Sequence, residues 1–220
     1  MLYVYIVSQH NILEVIPMDK KLKIKIILGT IRPGRFGERP ARWMYKQLSQ
    51  REDMEVELLD LKDYPMPMFD SPMSPAMMGK KYPNELVQKW SAKIDEADGY
   101  IIVSPEYNHG YSSVIKNALD WLNPEWNRKP VGFVSYGSAN GARAVEQLRE
   151  VVIELKMVPI NRAIHISWEY IMKAIQNKEI TDEELLDPLR AGRTDLYKLF
   201  VDDFIWMALA LRQAREAETK

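Results

Sequence analysis

The chain has 220 residues, with 30 basic and 31 acidic side chains, three histidines and no cysteine. This length predicts one domain, and a formal net charge of −1 disfavours nucleic acid as a partner. The lack of cysteine excludes disulfides, thiolate nucleophiles and cysteine-ligated metals, and three histidines make a multi-histidine metal site unexpected.

Residues 1–21 are predicted to lie outside the core, as an extension before the first strand. Met18 stands directly before that strand and is a second candidate for the start of the protein. The segment lacks the basic start and small-residue cleavage site of a signal peptide. The longest apolar run, residues 204–211, is too short to cross a bilayer. We therefore expect a cytoplasmic protein without a membrane partner.

Strand and helix patterns alternate along residues 22–168, the predicted main domain. Apolar strands are predicted at 23–28, 56–59, 100–103, 131–134 and within 159–166. Amphipathic helices are predicted at 38–50, 84–97, 114–122 and 144–155, with Asn84 as the cap of the second. Five strands joined by helices favour a parallel sheet covered on both faces, which binds ligands beyond the carboxyl ends of its strands.

Two regions are peripheral to this alternation. Residues 62–83 are rich in proline and methionine and are predicted to form an irregular excursion. Residues 169–220 are predicted to form a helical tail. Within it, Thr181 and Glu184 fit a capping box, and Thr194 is suited to cap a second helix.

The loop after the first strand, residues 29–37, points to an anion. Four arginines lie in this loop and the next helix: Arg32, Arg35, Arg39 and Arg42. A helix start disfavours cations but binds anions through its free N–H groups, so this cluster suggests a bound phosphate. The pattern is neither a P-loop nor a dinucleotide fingerprint, which favours a terminal monophosphate. A solvated basic turn is the alternative.

The loop after the third strand, residues 104–112, suits a flat heterocycle. Tyr107 offers an aromatic wall, while Asn108 and the backbone offer hydrogen bonds. A simple capped turn, with Ser112 or Ser113 as the cap, is the alternative and leaves Tyr107 and Asn108 unexplained.

The loop after the fourth strand, residues 135–142, is built of small residues that allow a ligand to approach the backbone. Together the three loops describe a ligand with a phosphate at one end and a polar aromatic ring at the other, and FMN fits this description. ATP and GTP would require a Walker lysine, which is missing.

With these motifs the chain resembles the NADPH-dependent FMN reductase family, which includes bacterial chromate and quinone reductases and related azoreductases. The resemblance spans about residues 22–166 and rests on four segments: 29–35, 105–110, 116–122 and 129–137. It implies an α/β, flavodoxin-like three-layer sandwich with a five-stranded parallel sheet in the order 2-1-3-4-5 and a C-terminal helical extension. It also implies non-covalent FMN, NADPH or NADH as co-substrate, and a homodimer or homotetramer.

The resemblance further implies roles for single residues. The positions that match cofactor-binding residues are Thr30, Arg32, Arg35 and Gly37 in the first loop, Pro105, Glu106, Tyr107, Asn108 and Gly110 in the second, and Ser135, Tyr136, Gly137 and Gly141 in the third. Relatives often have more glycine in the third loop. The predicted parts of a subunit interface are Tyr111, Trp121, Trp126 and the 62–83 excursion.

The predicted function is an NAD(P)H-dependent FMN oxidoreductase that passes hydride from nicotinamide to FMN and on to a small-molecule acceptor. Quinones, azo and nitro compounds, flavins and metal oxyanions are all candidate acceptors, and the preferred nicotinamide stays open. Because the flavin carries the redox chemistry, no acid–base residue is required. Glu106 is expected to orient its loop, and His109 is a weak candidate for proton transfer. The alternatives are a flavodoxin-like electron carrier and a flavin-based redox sensor.

Overall fold

The computed structural model describes residues 2–8, 11–18, 20–190 and 195–218, with side chains from residue 20 onward. Strands β1 (Leu2–Ser8) and β2 (Asn11–Met18) pair with each other antiparallel, in a sheet separate from the main one. The predicted boundary of the N-terminal extension at residue 21 stays a prediction.

The main sheet has five parallel strands: β3 (Leu22–Leu28), β4 (Met54–Asp60), β5 (Gly99–Pro105), β6 (Pro130–Tyr136) and β7 (Val158–Ile166). Their spatial order is β4-β3-β5-β6-β7, which confirms the predicted order 2-1-3-4-5. Every residue of β5 and β6 is buried, as expected for central strands covered on both faces.

Seven α-helices accompany the sheet in the described part of the chain: α1 (Glu38–Ser49), α2 (Glu85–Asp95), α3 (Ser113–Asp120), α4 (Ala142–Glu154), α5 (Trp168–Gln176), α6 (Asp182–Leu186) and α7 (Leu196–Glu218). The four predicted helices of the main domain are confirmed. Helix α5 lies at the start of the predicted helical tail, although no pattern marked it as a separate helix, and Ile171 is its only buried residue. Among the described residues, no helix combines the length and apolar character needed to cross a membrane.

The helices form two layers, one on each face of the sheet. Residues of α1, α6 and α7 share a core with one face, and residues of α2, α3 and α4 share a core with the other. Helix α7 lies directly on the central strands, with Phe204 against Gly99 of β5 and Phe200 against Gly132 of β6. The predicted boundary at residue 168 stays a prediction, although α7 belongs to the same core as the sheet.

Three of the predicted helix caps are present, and one of them is Ser112, whose hydroxyl accepts from the Ile115 N–H (3.3 Å) at the start of α3. The Asn84 side chain accepts hydrogen bonds from the N–H groups of Leu86 (2.9 Å) and Val87 (3.3 Å) at the start of α2. Thr181 and Glu184 form the capping box of α6. Thr194 lies outside the described residues.

The proline- and methionine-rich excursion is irregular, as predicted, and helix α3 holds it in place. The Asn117 side chain accepts from the Phe69 N–H (2.8 Å) and donates to the Pro67 carbonyl (2.9 Å). The Trp121 indole donates to the same carbonyl (2.7 Å). Trp121 and Trp126 are buried in the chain's own core, so the prediction that they form a subunit interface is wrong for this conformation.

Candidate functional site

The three predicted loops meet beyond the carboxyl ends of β3, β5 and β6. The Ser112 hydroxyl donates to the Gly29 carbonyl (2.6 Å) and so joins the first loop to the second. The Glu106 N–H donates to the Tyr136 carbonyl (2.9 Å) and joins the second to the third. The sheet order reverses between β3 and β5, so this is the crevice where open α/β sheets bind ligands.

The first and second loops also meet through three of the predicted site residues. The Thr30 and Tyr107 hydroxyls are hydrogen-bonded at 2.7 Å, and Thr30 is buried. The Arg32 guanidinium lies over the Tyr107 ring, 5.5 Å from its centre. The residues predicted to bind the phosphate and a residue predicted to bind the ring therefore lie side by side.

Arg35 lies in the same loop but is engaged within the protein. Its guanidinium pairs with Asp60 at the end of β4 and with Glu38 at the start of α1, and it donates to the Thr30 carbonyl. The side chain is only 4% exposed. Its predicted contact with phosphate stays a prediction. In this conformation Arg35 connects the first loop to the end of β4 and the start of α1.

The two arginines farther along α1 do not need a bound anion. Asp182 of α6 pairs with Arg39 (2.6 Å) and with Arg42 (3.0 Å). The sequence argument that these cations require a ligand is therefore wrong, because a distant carboxylate supplies the negative charge. In the described part of the chain, Arg32 is the member of the cluster that pairs with no carboxylate.

The second loop is a tight hairpin. Tyr107 and Gly110 exchange both backbone hydrogen bonds, at 2.8 and 3.1 Å. The two residues between them, Asn108 and His109, have φ of +49° and +75°. This left-handed backbone is uncommon for residues with a side chain, although asparagine and histidine adopt it more readily than most, and contacts elsewhere help to hold it.

Those contacts come from helix α4. The Arg143 guanidinium pairs with the Glu106 carboxylate, and the Arg143 N–H donates to the same group (3.3 Å). Arg143 also contacts His109 Nδ1 (3.3 Å), and the Gln147 amide donates to the His109 carbonyl (3.0 Å). The Glu106 side chain is 1% exposed, which agrees with its expected role in orienting the loop.

The third loop turns back on the end of β6. Gly141 has φ of +74° and caps α4, and a Cβ there would press on Ser135 and on the Tyr136 N–H. Gly137 packs equally closely on Glu106 of the second loop. Glycine at these two positions is therefore needed for the loops to meet.

Tyr136 links the third loop to the first. Its ring makes an edge contact with Phe36, and its hydroxyl lies against Gly37, the residue before α1. Among the described residues the hydroxyl finds no partner with hydrogen-bond geometry, although the Gly37 backbone lies beside it. Burial raises the pKa of this phenol well above its ordinary value.

A cavity of about 450 Å³ opens beside the first loop. Its walls come from the first loop, the excursion and the start of α3, and they are mostly apolar: Ile31, Leu61, Tyr64, Pro65, Met66, Met68 and Val114. Lys62, Ser113 and Asn117 supply polar groups. An apolar pocket with a few polar groups is the ordinary form of a small-molecule site.

Sequence reasoning missed Asp60, Arg143 and Gln147. Arg143 carried a detectable signal, because it is a cation in the first turn of a helix, the same anomaly that drew attention to Arg32. Asp60 was detectable as a polar residue at the carboxyl end of the strand beside β3. Gln147 carried no detectable signal, because an exposed glutamine on a helix is common.

The residues fit FMN at both of its ends. Arg32, in the loop before α1, offers a cation without a carboxylate partner among the described residues, and the start of α1 favours an anion. The second and third loops offer an aromatic face and backbone groups. The profile of the family described as NADPH-dependent FMN reductase matches residues 22–169. The chain belongs to this family.

Two relatives cover most of the chain. An NAD(P)H-dependent FMN reductase of Schizosaccharomyces pombe is 32% identical over 180 residues, which are 81% of this chain and 90% of the relative. A quinone reductase of Escherichia coli is 31% identical over 190 residues, which are 80% of this chain and 94% of the relative. This FMN reductase family member is therefore an oxidoreductase with FMN as its cofactor and NAD(P)H as its electron source.

Solved structures share the fold. The flavoenzyme NAD(P)H:(acceptor) oxidoreductase FerB of Paracoccus denitrificans superposes with a TM-score of 0.56 at 21% identity, over 67% of this chain and 80% of FerB. The apo form of an NADH:FMN oxidoreductase, EMOB, superposes with a TM-score of 0.57 at 15% identity, over 86% of this chain and 90% of EMOB. These likenesses confirm the predicted flavodoxin-like fold.

Proposed function

We propose that this FMN reductase holds the cofactor across its three loops and passes electrons from NADH or NADPH to a quinone. Azo and nitro compounds, free flavins and metal oxyanions are further candidate acceptors. The observation that carries the placement of the cofactor is Arg32, a cation in the first loop that has no carboxylate partner among the described residues and lies over Tyr107.

The phosphate end is assigned to the first loop. Arg32 donates to the phosphate, together with the loop's backbone N–H groups and the start of α1, which has no side-chain cap. Arg35 holds the loop's shape through Asp60 and the Thr30 carbonyl. Gly37 permits the close approach of Tyr136 beneath the loop.

The ring end is assigned to the second and third loops. When bound, FMN supplies the hydride and electron chemistry, and the protein supplies position and electrostatics. Tyr107 forms part of the wall, and the hairpin from Pro105 to Gly110 presents its backbone and Asn108 to the ring edge. The Glu106 side chain is buried and paired with Arg143, so its role is to orient the hairpin. His109 is not required for hydride transfer.

A homodimer or homotetramer is part of the proposal. The excursion exposes methionine side chains that proteins ordinarily bury, with Met68 at 70% and Met77 at 76% exposure. Met68 also lines the cavity beside the first loop. A second subunit that covers this surface would close the apolar side of the site. Light scattering of wild-type protein and Met77→Lys tests this assembly, and an unchanged monomer in both would refute it.

The proposal also places the protein in the cytoplasm, where reduced nicotinamide is available. Cell fractionation with antibody detection checks this location. Recovery of the protein in a secreted or membrane fraction would contradict it.

The central test compares Arg32→Ala with Arg42→Ala. Loss of a charge-assisted hydrogen bond costs about 1.5–3 kcal/mol, so Arg32→Ala should weaken FMN binding by about 10- to 150-fold. Arg42→Ala removes an equal charge from the helix that follows the first loop, but Arg42 is held by Asp182, so FMN affinity should change less than about twofold. Flavin fluorescence quenching measures both dissociation constants. Equal losses in the two variants would refute a specific phosphate contact.

Activity is tested by anaerobic stopped-flow reduction with NADH and NADPH, followed by a panel of acceptors. The flavin should bleach with either or both nicotinamides, and quinone should restore its colour. His109→Ala should retain measurable reduction. Complete loss of reduction with FMN still bound would make His109 catalytic.

A further inference from the structure

The edge strand β7 contributes a histidine directly beneath the third loop. His165 lies opposite Ser135 in the register of β6 and β7, and its Nδ1 is 2.8 Å from the Ser135 hydroxyl oxygen. The Ser135 hydroxyl in turn donates to the Asn140 carbonyl (3.1 Å). These three residues connect a strand at the edge of the sheet to the loop after β6.

The hydrogen bonds fix the tautomer of the imidazole. Ser135 has one hydroxyl proton, which goes to Asn140, so the bond from His165 must be donated by Nδ1–H. Burial lowers the pKa of His165, with Arg149 acting in the same direction and the Asn140 backbone and Glu146 acting against it. His165 is exposed as a residue, but the partial burial of its ring favours the neutral imidazole with its proton on Nδ1.

The bond reaches the left-handed turn at the end of the third loop. Asn140 has φ of +58° and Gly141 has φ of +74°, and Gly141 is the cap of α4. Left-handed backbone at a residue with a side chain persists only where neighbouring contacts hold it. The Ser135 hydroxyl is the side-chain group that holds the Asn140 carbonyl, and Ser135 is completely buried.

The position of α4 then affects the second loop as well. The first residues of α4 include Arg143, whose N–H and guanidinium both bind Glu106. A shift of the Asn140–Gly141 turn would move these donors relative to the hairpin. The histidine on the edge strand is thus connected to both loops at the ring end.

We propose that His165 is a positioning residue for the flavin ring: through Ser135 and Asn140 it holds the third loop and the start of α4 in the conformation that receives the ring. This inference rests on the proposed function for its ligand. The connection between His165 and the loop is a property of the protein alone and can be measured without FMN.

The matched pair His165→Asn and His165→Gln tests the proposal. Asparagine can place its amide nitrogen where Nδ1 stands, whereas glutamine places it where Nε2 stands. In the cofactor-free protein, hydrogen exchange of residues 138–143 should be about tenfold faster in His165→Gln and close to wild type in His165→Asn. FMN should bind about five- to tenfold more weakly to His165→Gln, and within twofold of wild type to His165→Asn.

The outcomes separate the two proposals. If both variants behave as wild type, His165 has no positioning role. If both lose affinity and protection equally, His165 acts by packing and not through Nδ1, which also overturns the proposal. If wild-type protein does not bind FMN, the proposed function fails, and the exchange comparison still decides whether His165 holds the loop.

Discussion

The contact between Gly37 and Tyr136 makes a quantitative prediction about the first loop. Gly37 has φ of −57° and ψ of −21°, which alanine adopts without strain. A Cβ at this position would nevertheless overlap the Tyr136 hydroxyl and lie 3.1 Å from both Leu28 Cδ1 and Thr30 Cγ2. Because the hydroxyl belongs to a ring packed on Phe36, it cannot swing away as the end of a flexible chain would.

The expected cost follows from this overlap. Inserting a methyl group into a packed site costs about 1–3 kcal/mol, so Gly37→Ala should lower the free energy of unfolding by about 2 kcal/mol. Tyr136→Phe removes the overlapping atom, which is also a buried hydroxyl without a partner among the described residues. That single change should be neutral or stabilising, because an unpaired buried hydroxyl costs about 1–3 kcal/mol.

In the Tyr136→Phe background, Gly37→Ala should therefore cost less than about 1 kcal/mol. The interaction energy in this double-mutant cycle should be at least about 1 kcal/mol. Urea unfolding of the four cofactor-free proteins measures it. Gly34→Ala is the control, because Gly34 has φ of +64° and open space around it, so its cost should be the same in both backgrounds. Additive costs for Gly37→Ala and Tyr136→Phe would refute the reasoning.

Three further predictions concern other parts of the fold. Burial lowers the pKa of Lys129 to about 7 from its ordinary 10.5. Above pH 7 the unfolded chain therefore holds more protons than the folded chain. The free energy of unfolding of wild type should rise relative to that of Lys129→Met between pH 7 and 10, by at most about 1.4 kcal/mol per pH unit. A difference between the two proteins that does not change with pH in urea unfolding would contradict this. Asn117→Ala should release the excursion and speed proteolysis within residues 62–83, and unchanged cleavage would show that Asn117 is not its anchor. Glu106→Gln should weaken the contact with Arg143 and raise hydrogen exchange in residues 107–110. Equal protection of these residues in wild type and Glu106→Gln would show that the contact between Glu106 and Arg143 does not hold the hairpin.

Much of the fold was predictable because the strands are apolar and their helices have one buried face. Strands β5 and β6 are buried at every residue, and the switch point between β3 and β5 follows from the order of a doubly wound sheet. The cap at Asn84 and the capping box at Thr181 are local signals, which the sequence shows directly. Helix α5 lacks such a signal, since it buries only Ile171.

The roles of the arginines were not predictable in the same way. Arg39 and Arg42 find Asp182, which is 143 and 140 residues away along the chain, and no local pattern indicates such a pair. Cations near a helix start do need a negative charge beside them, but that charge can come either from a bound anion or from a carboxylate distant in the sequence. Only the three-dimensional structure distinguishes Arg32, which has no acidic partner among the described residues, from its neighbours.

The place of α7 on the sheet has a consequence for how the chain is made. Gly99 of β5 and Gly132 of β6 face Phe204 and Phe200, and a side chain at either glycine would overlap the ring that packs there. A ribosome that has released all five strands has not yet released these phenylalanines. Helix α1 already covers part of this face at that point, but the part of β5 and β6 that α7 covers stays exposed until about 40 more residues have emerged. We expect this apolar surface of the nascent chain to be prone to aggregation until α7 packs on it.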